Sequence, residues 1–118
     1  MNKDFVTYEQ ALALKELGFD EMCFGFYRNP SVELMRCRNR EPWMGNAVVA
    51  APLKQQVFKF FREKYNVDFY ITRMLPNVIN KDVYHVVLND KWAPNDPYKN
   101  YEDAESRLID NLIELVKQ

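Results

Sequence analysis

Tyr101, Ala104, Leu108, Ile109, Leu112, Leu115 and Val116 recur at the spacing an α-helix places on one side, and Asp103, Arg107, Asp110, Glu114 and Lys117 fill the other. A seventeen-residue helix, 101–117, with so wide an apolar arc has to be buried against something. That requirement constrains the rest of the chain more than any other feature. Asn100 and Asp103 are spaced to cap its N-terminus.

Two earlier segments share the helical period. Thr7 and Gln10 form a T-x-x-Q capping box ahead of YEQALALKEL, whose Tyr8, Ala11, Leu12, Leu14 and Leu17 make one apolar face. Gly18 supplies the left-handed position that ends this helix, and Phe19 is expected to fold back onto its end. Pro52 is placed as the first residue of a second helix, where its missing N–H costs nothing. There Leu53, Val57, Phe61 and Tyr65 recur every four residues, widened by Phe58 and Phe60, while Gln55, Lys59 and Arg62 form a basic opposite face ending near Asn66.

Between the helices lie β-branched and aromatic runs bounded by turn residues. Residues 22–28 (MCFGFYR) and 32–38 (VELMRCR) read as strands joined by Asn29-Pro30-Ser31, with Leu34, Arg36 and Arg38 facing one way and Met35 and Cys37 the other. Residues 67–75 (VDFYITRML) and 83–88 (VYHVVL) form a second such pair around a turn over 76–82. Residues 39–46, 47–51 and 89–100 read as connections, the first and last carrying Trp43 and Trp92. The expectation is an α+β fold in the order α-β-β-α-β-β-α, a single domain over 1–118 with one four-stranded antiparallel sheet and helices packed on one face.

At 118 residues, 47% hydrophobic and 14% aromatic, the chain can form a core without a metal or disulfide staple. The start, MNKDFVTYEQ, lacks the charged and apolar regions of a signal peptide, and no apolar run approaches the ~20 residues that span a bilayer. Two cysteines are too few for a secreted disulfide scaffold. The expected location is therefore cytoplasmic, without membrane contact.

Nucleotide chemistry has no footing: the sequence contains neither G-x-G-x-x-G nor G-x-x-x-x-G-K-[ST]. Cys23, Cys37 and His85 all fall on strands but lack the paired spacing of zinc ligands, so no cofactor or metal is expected. A catalytic cysteine needs a lowered pKa and an orienting partner, which mid-strand positions do not supply. Glu105 falls inside the apolar arc of the last helix, where it either reaches water near the first turn, helped by the helix dipole, or serves as a functional acid. No catalytic residue is assigned, and a small enzyme built on Cys37, His85 or Glu105 ranks last.

Charge is uneven. Residues 28–64 hold eight Lys and Arg against three acids, whereas both flanking segments are acidic. Arg36, Arg38, Arg40, Trp43, Lys59 and Arg62 are the candidate binding residues. Arginine beside aromatic side chains grips single-stranded nucleic acid, although a pI of about 5.8 lies well below that of a dedicated binder. The first expectation is a non-enzymatic module that binds a protein partner or a second copy of itself; the alternative is a nucleic-acid-associated accessory protein using the same segment.

Three stretches, FVTYEQALALKELGFDE, AAPLKQQVFKFFREKYN and YEDAESRLIDNLIELVK, together resemble a family of short uncharacterised proteins from gut Bacteroides-type bacteria and their phages or mobile elements. The likeness covers about 50 residues, mostly helical. It implies a bacterial or phage setting and no activity, so no site residue is carried over. Relatives of that kind would hold Ser or Thr near the start of the second helix and at the last cap, where this chain has Ala50, Ala51 and Asn100.

Overall fold

A computed structural model of the chain describes residues 4–28, 31–39, 48–74, 83–89, 91–92, 98 and 100–117. The order is α1 (Tyr8–Glu16), β1 (Cys23–Arg28), β2 (Ser31–Cys37), β3 (Val48–Ala50), α2 (Lys54–Tyr65), β4 (Phe69–Met74), β5 (Val83–Leu88), β6 (Lys91–Trp92) and α3 (Tyr101–Lys117). The α+β class holds. The four-stranded sheet does not: the strands form two antiparallel sheets, ordered β2-β1-β3 and β4-β5-β6. Both added strands are short, and each extends a hairpin at its own edge instead of joining the two hairpins. The expected turn over 76–82 and most of the connections lie outside the described residues.

Contacts divide the chain into a first unit, Met1–Phe60, and a second, Phe61–Gln118, with the boundary inside α2. In the first unit, the expected capping box starts α1. The Gln10 backbone N–H donates to Thr7 Oγ1 at 3.1 Å, and the Thr7 N–H donates to Gln10 Oε1 at 2.9 Å. Gly18, at φ 91°, closes α1 with the Gly18 N–H donating to Lys15 O and the Phe19 N–H to Leu14 O, a double hydrogen-bonded cap that only a left-handed residue allows. Phe19 does fold inward, 1% exposed and edge-on to Phe60 at 5.1 Å. Ala11, Leu14, Phe26, Tyr27, Val49 and Val57 complete this core. The Tyr27 hydroxyl donates to Val6 O, which satisfies the polar tip of a buried ring.

Residues 48–50, read as a lead-in to α2, are β3: Phe26, Tyr27 and Arg28 pair with Ala50, Val49 and Val48. Helix α2 begins at Lys54, so Pro52 precedes it instead of serving as its first residue. The Pro52 carbonyl accepts from Val6 N–H at 3.1 Å. Leu53 takes the cap position: its N–H donates to Gln56 Oε1 at 3.0 Å, and Gln56 Nε2 donates to Met22 O at 2.7 Å.

In the second unit β4 and β5 pair over their whole length, from Phe69↔Leu88 to Met74↔Val83. Helix α3 packs against β5. Ala104, Leu108, Ile109 and Leu112 of its predicted arc are buried, as is Ile113. The Asn100 cap forms, with Asp103 N–H donating to Asn100 Oδ1 at 2.8 Å. Asn66, at φ 53°, ends α2 in the left-handed region that asparagine tolerates. Among the described residues no helix is long and apolar enough to cross a membrane.

Candidate interaction surface

The first hairpin carries an irregularity that alternation does not foresee. Cys23 pairs with Cys37 and Gly25 with Leu34, so Phe24 alone stands opposite both Met35 and Arg36. This is a β-bulge, and it reverses the side-chain alternation of β2. Cys23 and Gly25 share a face of β1, so Leu34 and Cys37 share a face of β2. The expectation that they point to opposite faces is overturned.

Among the described residues, strand β2 lies at the edge of its sheet. Val32 is half-buried, Ser31 through Arg36 are otherwise exposed, and only Cys37 is buried. Three of the six exposed large apolar side chains among the described residues sit on this hairpin: Phe24 at 53%, Leu34 at 67% and Met35 at 46%. An exposed edge flanked by apolar side chains is what sheet proteins ordinarily cover or charge. Arg36 supplies one charge. Glu33 supplies another and meets Arg28 Nε at 3.5 Å across the hairpin. Arg28 also lies 5.7 Å from the Phe26 ring centre.

The predicted binding residues divide as follows. Arg36 is exposed beside Phe24 and Met35. Arg38, just beyond β2, is half-buried, and its enclosed Nε has no hydrogen-bond partner among the described residues. Lys59 is exposed on α2 in the first unit. Arg62 belongs to the second unit, where its guanidinium stacks over Phe69 at 4.6 Å. Arg40 and Trp43 lie outside the described residues. Phe24, Leu34 and Met35 were not among the residues picked from the sequence, because apolar residues on a strand are expected to be buried.

The remaining candidates have structural surroundings. Cys23 and Cys37 are fully buried and not joined in a disulfide, and burial, with smaller contributions from Cys37 and Glu21, pushes Cys23 up to about 12. Glu105 is buried at 8%, and Tyr101 is raised first by its own desolvation and then by the Glu105 charge. His85 is half-buried on β5 opposite Thr72. A shallow cleft of about 350 Å³ is lined by Lys15, Gly18, Phe19, Asp20 and Asn39. Its Asn39 is committed to the fold: Nδ2 donates to Phe19 O and Oδ1 accepts from Ala50 N–H, each at 2.9 Å. Among the described residues no three His, Cys, Asp or Glu side chains are grouped as metal ligands. The chain matches no protein-family model, no curated protein and no solved structure.

Proposed function

We propose that the protein is a non-enzymatic binding module, acting in the bacterial or phage setting that its helices imply, and that its partner is a second copy of itself docked along β2. The observation that carries this reading is the exposure of Leu34 and Met35 on an edge strand. A second copy added antiparallel completes the hydrogen bonding of both edges. It also brings the Glu33 end of each strand alongside the Arg36 end of the other, with the apolar pair between them. Burying two such side chains contributes roughly 1.5–3 kcal/mol each. The exposed ion pairs contribute only about 0–1 kcal/mol. The apolar centre therefore supplies the affinity, and the charges set the strand direction.

Sedimentation equilibrium tests this directly. The wild-type chain should dimerise with concentration, and Leu34→Asp or Met35→Asp should return it to monomer with an unchanged far-UV circular dichroism spectrum. A wild type that stays monomeric at millimolar concentration defeats the second-copy reading.

The second reading, single-stranded nucleic acid on the same hairpin, has its own observation: an exposed ring, Phe24, opposite an exposed guanidinium, Arg36. It requires a gel shift with a short single strand that weakens as salt rises and is lost in Phe24→Ala and Arg36→Ala. No shift at low salt ends it.

A further inference from the structure

Cys23 and Cys37 stand directly opposite one another across β1 and β2, and neither has any exposed surface. Opposed residues of an antiparallel pair have Cα atoms about 4.5–5.5 Å apart. A disulfide bridges about 4.4–6.8 Å. Each sulfur lies within hydrogen-bond reach of a carbonyl on or just before β1: Cys23 Sγ to Glu21 O at 3.4 Å and Cys37 Sγ to Gly25 O at 3.3 Å. The two thiols are also close enough for the charge of one to act on the other.

We propose that Cys23 and Cys37 are a redox pair that closes to an intramolecular disulfide when the chain folds in the presence of a disulfide oxidant such as oxidised glutathione. One cysteine thiolate attacks a glutathione sulfur, giving a mixed disulfide and releasing one glutathione thiolate. The second cysteine thiolate then attacks the protein sulfur of that mixed disulfide and displaces the other glutathione. Two protein thiols lose two electrons and two protons, and one oxidised glutathione becomes two reduced ones.

The step belongs to folding rather than to the finished structure. In the folded chain both sulfurs are enclosed, and burial keeps Cys23 protonated, so the attacking thiolate is scarce. As the hairpin assembles, the thiols are still accessible and the register brings them together. Once closed, the bond is shielded by the same packing and ties β1 to β2 beside the bulge. This inference does not depend on what β2 binds.

The test is to refold the reduced full-length chain in a glutathione buffer with the oxidised form in excess, then alkylate under denaturing conditions. The expected product is a monomeric chain lighter by two hydrogens, with no alkylated cysteine and with Cys23 and Cys37 in one cross-linked tryptic product. It should unfold at a higher urea concentration than the reduced chain. The same buffer added to the already folded reduced chain should oxidise it more slowly. Two alkylated cysteines, stable glutathione adducts, bonds only between chains, or a lowered urea midpoint would each overturn the proposal.

Discussion

A Cβ on Gly25 would sit 3.0 Å from the Glu33 carbonyl oxygen and 3.4 Å from Phe5 Cε1. The nearer neighbour is backbone, so β1 and β2 must part to admit it. Gly25→Ala should therefore destabilise the chain by about 1–3 kcal/mol, the usual cost of overpacking, read as a lower urea midpoint; an unchanged midpoint would mean the strands separate freely. Cys23 makes a second residue-level prediction. Its folded value of about 12 lies above the ordinary 9.0, so from pH 9 upward the unfolded chain releases this proton first. The stability contributed by the neutral thiol is whole below pH 9 and is lost as pH rises towards 12. In reductant, the urea midpoint should fall over that window, more steeply for wild type than for Cys23→Ala. Tyr27 is raised in the same direction, by burial and then Glu9, and leaves a residual slope in the variant. At this scale the capping residues were legible, because Thr7-Gln10 and Asn100-Asp103 act over three residues. The bulge was not, because it exists only in the pairing of β1 with β2.

The helices were the legible elements. Helix α3 covers the predicted span, α1 falls one residue short of its own, and α2 starts two residues after the expected Pro52. The reason is physical: a helix closes its own hydrogen bonds, so its period and caps are all present in one stretch. Strand positions were also readable from β-branched and aromatic runs, but strand partners were not. Val48-Val49-Ala50 is too short to show alternation, and its assignment as β3 rests on Phe26, Tyr27 and Arg28, twenty or more residues away. The same dependence on distant partners explains why two separate sheets formed where a single one was expected. The candidate surface shares this limit. Arg36 was picked out by its charge, whereas Phe24, Leu34 and Met35 matter through exposure, which depends on where β2 falls in the sheet.

Helix α2 serves both contact units. Val57 and Phe60 belong to the first core, with Phe60 against Phe19. Phe61 lies against Tyr65, and Arg62 stacks on Phe69, in the second. The unit boundary falls between two adjacent phenylalanines of one continuous helix. A break in that helix should therefore be felt in both units, although among the described residues the two sheets share no strand. Lys59 is the position to test, because it is exposed and its side chain fills no core. Proline there removes a backbone donor and clashes with the preceding turn, costing about 3 kcal/mol or more. If α2 couples the units, Lys59→Pro should lower amide-exchange protection in β1–β3 and in β4–β5 alike. Lys59→Ala should leave both unchanged, which separates the backbone effect from loss of the charge. Protection lost in one sheet and retained in the other would mean that the units unfold independently and that α2 joins them without coupling them.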